Sequence, residues 1–106
     1  MKRLALTEIA RADLASIRRY STRIWGREQT TTYMDALRDA MKGIARGTVA
    51  SRARDDIRPG IRMATCGRHS IFLEADEFRI LIVRVLHDRM DYRHHLDSSD
   101  APGQDT

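Results

Sequence analysis

The stretch Ile61-Arg62-Met63-Ala64-Thr65-Cys66 alternates side-chain character, Gly67 interrupts it, and His69-Ser70-Ile71-Phe72-Leu73-Glu74 resumes the extended pattern. A period of two with a glycine break is the signature of two strands joined by a turn. Asp76-Glu77 supplies another turn, and Phe78 to Leu86 is then apolar on both faces apart from Arg79 and Arg84. A run apolar on both faces predicts a central strand covered on each side. These three consecutive strands set the second half of the chain as an antiparallel run.

Working outward, the period upstream is helical. Ala10, Leu14, Ile17 and Ile24 fall on one helical face, with Tyr20 or Ser21 completing the stripe. Thr7 offers an N-cap and Glu8 an anion in the first turn, so a helix is expected over about residues 8–24. Gly26 breaks it. A second helix follows from about Glu28, with Met34, Leu37, Met41 and Ile44 as its apolar face and Gly47 as its stop. So short a linker predicts an antiparallel helical hairpin. Arg3-Leu4-Ala5-Leu6 alternates as a short strand, and residues 48–59 read as an exposed connection. The expected fold is α+β, with the hairpin packed on one face of a mainly antiparallel sheet.

At 106 residues the chain is one domain, expected over 1–96, followed by a flexible acidic tail over 97–106. The longest apolar run, Ile80-Leu81-Ile82-Val83, is far short of the roughly 20 residues of a membrane span, and the N-terminus lacks a signal-peptide core. A cytoplasmic protein is expected. Cys66 is the only cysteine, which excludes an internal disulfide and a cysteine zinc cluster. No spacing among His69, His87, His94 and His95 matches a recurrent zinc site, and neither metal nor cofactor is expected.

Seventeen of the nineteen cations are arginine, and residues 1–96 set nineteen cations against twelve carboxylates, a balance of +7. Such a surface fits nucleic acid or an acidic protein partner. Phosphate-binding Gly-Lys loops, dinucleotide glycine fingerprints and nucleophile elbows are absent. Arg84 stands in an otherwise apolar strand, where an unpaired charge is costly, so it pairs with an acid such as Asp88 or Asp91 or points into a site. Together with His87, Arg89 and Arg62 it is expected to form a basic cluster at one end of the sheet. Trp25 beside Gly26 either anchors the hairpin or serves as a partner-binding hot spot.

Three segments resemble the ParE toxins of the RelE/ParE superfamily. They are Ala12-Asp13-Leu14-Ala15-Ser16-Ile17 through Tyr20 to Ile24-Trp25-Gly26; Ile57-Arg58-Pro59-Gly60-Ile61-Arg62 with Gly67-Arg68-His69-Ser70-Ile71-Phe72; and Ile82-Val83-Arg84-Val85-Leu86-His87-Asp88-Arg89-Met90-Asp91 with His95-Leu96. In the family's order they span about residues 3–96. The resemblance implies a toxin neutralised by a ParD-like ribbon-helix-helix antitoxin, whose arm brings apolar residues and carboxylates. It also implies inhibition of DNA gyrase by binding, without a catalysed reaction, and DNA contact mainly through antitoxin or gyrase.

For the target, the resemblance suggests Arg62, Arg84, His87 and Arg89. For the antitoxin, Arg11, Arg18, Arg19 and Trp25 are the expected contacts. The alternative is a ribosome-dependent mRNA endonuclease of the RelE type. Arg62 and Arg84 match arginines of that branch's site, but the lysine-rich stretch is missing and a tyrosine comes only late, as Tyr92.

Overall fold

In the computed structural model, which describes residues 1–90 and 92–96, eight elements follow one another. They are β1 (Arg3–Leu6), α1 (Glu8–Trp25), α2 (Arg27–Arg46), β2 (Arg52–Ala53), β3 (Arg62–Cys66), β4 (His69–Ala75), β5 (Arg79–His87) and α3 (Tyr92–Leu96). The sheet order is β1-β5-β4-β3-β2. β1 runs parallel to β5, and every other pair is antiparallel. The α+β expectation, with hairpin and three-stranded run, describes this architecture. One local expectation does not hold: the connection over 48–59 contains the edge strand β2; α3, barely more than one turn, carries no periodic signal and is not anticipated. The acidic tail lies outside the described residues.

The helical hairpin buries its apolar stripe on one face of the sheet. Met34, Leu37, Met41 and Ile44 of α2 are all buried, each contributing about 1.5–3 kcal/mol of transfer free energy. They meet Ile71, Leu73, Ile80, Ile82 and Val85. The opposite face carries a smaller core of Ile61, Met63, Phe72 and Leu86, closed by Leu96 of α3. In α1 it is Ser21, not Tyr20, that completes the expected stripe, and only Ile24 departs from it, at 52% exposed.

Gly26 alone links the two helices, at φ +87°, a conformation that costs a side-chain-bearing residue but not glycine. On β5, Leu73 faces Ile82 and Phe72 faces Arg84, so Val83 is one extra residue, a β-bulge. The bulge switches Val85 back to the helix-side core while Val83 and Leu86 serve the other. β1 stops at Leu6, yet the edge of β5 beyond it is not left bare. Thr7 donates its N–H to the Ile82 carbonyl (3.0 Å) and its hydroxyl to the Val83 carbonyl (2.8 Å). The same hydroxyl oxygen accepts from the Ala10 N–H (3.0 Å), which caps α1. One turn further on, the Asp13 carboxylate accepts from the Val85 N–H (2.9 Å). Side chains of α1 thus complete the strand edge where β1 runs out.

Candidate partner-binding groove

Asp13 also carries the charge that balances Arg84. Its two oxygens accept from Arg84 Nε (2.9 Å) and Nη2 (3.0 Å), a bidentate pair whose side chains are each 14% exposed. Arg84 further donates to the His95 carbonyl of α3 (3.4 Å). The expectation that Asp88 or Asp91 accepts from Arg84 is therefore corrected: the acceptor comes from α1, while Asp91 lies outside the described residues. Arg84 joins the two layers at the bulge and is committed to the scaffold.

The expected basic cluster also separates. His87 pairs in register with His69, which pairs with Cys66, at one end of the sheet. Arg62 lies four residues back along β3, about 13 Å away at strand rise, and donates to the hydroxyl and carbonyl of Ser51. Arg62 therefore does not join His87. Arg89 follows β5 and is exposed, with its N–H directed at His87 Nδ1 (3.1 Å).

What the structure does bring together is a groove at the His87 end. Between the C-terminal half of α1 and the ends of β4 and β5 lies a cavity of about 380 Å³. Ser16, Ile17, Tyr20, Ser21 and Trp25 of α1 form one wall, and Tyr33, Arg68, His69, His87 and Met90 form the other. At this size a groove accepts one or two large side chains or a small ligand. Tyr20 and Trp25 at its mouth are both more than half exposed, and Ile24 and Met90 are similarly open. Clustered exposed aromatic and aliphatic residues mark an interaction surface. Trp25 thus does not anchor the hairpin by burial; it belongs to the groove wall.

The groove floor is organised by Tyr33. Its hydroxyl oxygen accepts from the Arg68 N–H (3.0 Å) and lies 2.6 Å from His69 Nδ1 and 3.3 Å from the Cys66 carbonyl. The one phenol proton serves either the Cys66 carbonyl or His69 Nδ1, and the His69 tautomer decides which. Burial pushes the Tyr33 phenol above its ordinary range, so it stays a donor. Burial, with His87 beside it, pulls His69 below the usual histidine value. The His69 and His87 rings meet edge to face at 5.3 Å. Burial likewise raises the Cys66 thiol, the reverse of what a nucleophile requires. Among the described residues no three His, Cys, Asp or Glu side chains gather as a metal would need.

α1 also carries exposed cations. Arg11, Arg18 and Arg19 are exposed and make no ion pair among the described residues. Arg19 reaches only the Ser16 hydroxyl (3.2 Å), and Arg23 lies over the Tyr20 ring at 5.9 Å. Three of the four expected antitoxin contacts are thus exposed on α1, and Trp25 stands in the groove wall.

Sequence reading missed Tyr33, His69 and Asp13 as organisers. A signal existed for two of them. Tyr33 sits one residue before Met34 at the rim of the α2 stripe, and Asp13 interrupts the apolar side of α1 between Ala10 and Leu14.

No helix among the described residues is long and apolar enough to cross a membrane. A family profile for the "ParE toxin of type II toxin-antitoxin system, parDE" matches residues 4–92. The chain is 35% identical over 96 residues to Toxin ParE1 of Caulobacter vibrioides, spanning 91% of this chain and 99% of the relative. It is 36% identical over 92 residues to Toxin ParE of Escherichia coli, 86% of this chain and 89% of the relative. Toxin ParE1 of Mycobacterium tuberculosis is 37% identical over 95 residues, 89% and 97% respectively. A solved structure described as a chromosomal ParDE TA system from P. aeruginosa superposes with a TM-score of 0.70 at 22% identity, covering 82% of this chain and 96% of that one. The last likeness establishes the fold, and the sequence matches establish the relationship: this chain belongs to the ParE toxin family of type II toxin–antitoxin systems.

Proposed function

We propose that this toxin blocks replication by inhibiting DNA gyrase through binding, without catalysing a reaction, and is held inactive by a ParD-like ribbon-helix-helix antitoxin. The observation that carries the binding reading is the open groove of Tyr20, Trp25 and Met90 beside the unpaired arginines of α1. An acidic arm with apolar residues is complementary to that surface in both shape and charge. The structural neighbour is itself described as a ParDE system, which supports an antitoxin as the partner. Within the target set, His87 lines the groove and Arg89 is exposed, whereas Arg84 and Arg62 hold the scaffold. DNA is then reached through the antitoxin or through gyrase.

The RelE-type endonuclease reading needs arginines at the positions of Arg62 and Arg84 that are available to phosphate. Both guanidiniums are spent on internal partners, which favours the binding reading. Expression without antitoxin tests the choice. Gyrase inhibition gives filamentation with a DNA-damage response, rescued by co-expressed antitoxin, whereas abrupt arrest of translation would favour the endonuclease. For the antitoxin face, neutralising Arg11, Arg18 and Arg19 together is expected to slow association and flatten its salt dependence. Unchanged association at low salt would remove that face from the interface.

A further inference from the structure

We propose that seating of the antitoxin's acidic arm in the groove is coupled to the charge on His69, so that the complex is tight at neutral pH and loosens in mild acid. The inference rests on reading the groove as the antitoxin's seat, and adds to it a regulation.

The geometry begins with the register. His69 and His87 face each other directly across β4 and β5, with rings 5.3 Å apart, and both line the cavity with Ile17, Trp25 and Met90. A 2.6 Å contact ties His69 Nδ1 to the Tyr33 hydroxyl and fixes the ring in the wall. The charged and titratable groups around the ring come from four elements. α2 supplies Tyr33, the β3–β4 turn supplies Cys66 and Arg68, β5 and its end supply His87, Asp88 and Arg89, and α1 supplies Asp13. Of the two carboxylates, Asp13 is saturated by Arg84 and the Val85 N–H. Asp88 is directed at His87 Nδ1 (3.0 Å) and lies 4.0 Å from Arg68.

A proton added to His69 would therefore sit beside Arg68 and against the second imidazole, on a ring already partly withdrawn from water. An apolar side chain seated over that wall removes more of the water that a cation needs. The arm's carboxylates have a guanidinium partner in Arg68 on the groove wall itself. Binding thus selects the neutral ring. Once the solution pH falls low enough to protonate His69 in the free toxin, each binding event must release that proton, and affinity falls by at most tenfold per pH unit.

The test measures the affinity of the toxin for its ribbon-helix-helix antitoxin, recombined after co-expression and separation, at pH 7.5 and 5.0 and constant ionic strength. Wild type is compared with His69→Gln, whose neutral amide can donate to or accept from the Tyr33 hydroxyl, and circular dichroism confirms the fold of each. The expected result is a loss of affinity of about fivefold or more in acid for wild type, with most of that loss absent in the variant. Titration of the wild-type pair by calorimetry at pH 6.0, in two buffers of different ionisation heat, is expected to show net proton release and does not depend on the variant. A flat profile, tightening in acid, net proton uptake, or an equal loss in His69→Gln overturns the coupling while leaving the seat intact. No binding at either pH overturns the seat and the coupling with it.

Discussion

Truncating Asp13 to alanine should be among the most damaging single changes in this fold. The carboxylate accepts three hydrogen bonds, two from Arg84 at 2.9 and 3.0 Å and one from the Val85 N–H at 2.9 Å. Both side chains of the pair are 14% exposed, so solvent screens them little. Removing one partner of such a pair leaves a largely buried guanidinium and an orphaned amide, a loss of about 3–5 kcal/mol. Arg84 keeps its 3.4 Å contact with the His95 carbonyl, which places the expected loss near the lower end, about 3 kcal/mol. For a domain of this size each kcal/mol lowers Tm by about 4–8 °C, so a drop of about 12–24 °C follows. Urea unfolding and thermal melts followed by circular dichroism at pH 7.5 read both quantities. Replacing the pair together, as Asp13→Leu with Arg84→Met, should recover most of the loss, because no charge is then left buried alone. As a contrast, Arg54→Ala breaks a solvent-screened pair with Asp56 and should lower stability far less than Asp13→Ala. A loss below about 1 kcal/mol for Asp13→Ala, or a double variant no better than the single, would refute this reasoning. The same argument governs functional mutagenesis: a weakened toxin after Arg84 substitution reports stability before it reports target contact.

Three other expectations can be checked by the same unfolding measurements. Thr7→Ala removes the α1 cap and the bond to the Val83 carbonyl and should cost about 1–2 kcal/mol, with Thr7→Ser restoring most of it. Gly67→Ala should cost more than Gly26→Ala: both have positive φ, but a Cβ at Gly67 would stand 2.7 Å from the Tyr33 ring, while nothing lies within 4 Å at Gly26. His69 is held below its ordinary value in the folded chain, so its contribution is complete above about pH 6.5 and is lost as pH falls through the folded value. His69→Gln should therefore flatten the stability profile in that window. Asp76, lowered by the N–H groups of Phe78 and Arg79, acts in the same direction only below about pH 4, which keeps the two effects apart.

The parts of this fold legible in the sequence are those with a local period. Met34, Leu37, Met41 and Ile44 announced α2, and the alternation from Ile61 to Glu74 announced β3 and β4, because each pattern repeats within a few residues. What stayed hidden depends on contacts distant in the chain. The partner of Arg84 lies 71 residues away on α1, which no spacing rule reaches. The bulge at Val83 shifts the faces of β5 without leaving a mark in an already apolar run. The same shift and strand length decide that His87 meets His69 while Arg62 stays at the far end. The groove itself combines Trp25, Tyr33, His69, His87 and Met90 from five segments, so only the folded chain assembles it. Trp25 illustrates the limit: its position at the end of α1 was readable, but its place in a groove wall with His87 and Met90 was not.

The central claim, a gyrase-directed toxin that acts by binding, is tested most directly by a supercoiling assay. Purified gyrase, ATP and relaxed plasmid are incubated with increasing amounts of the toxin freed of antitoxin and shown to be folded. The account predicts loss of supercoiling with accumulation of linear, protein-linked DNA, reversed when antitoxin is added first. Undiminished supercoiling at micromolar toxin, with no cleaved plasmid, would contradict it and direct attention to the ribosome or to another target.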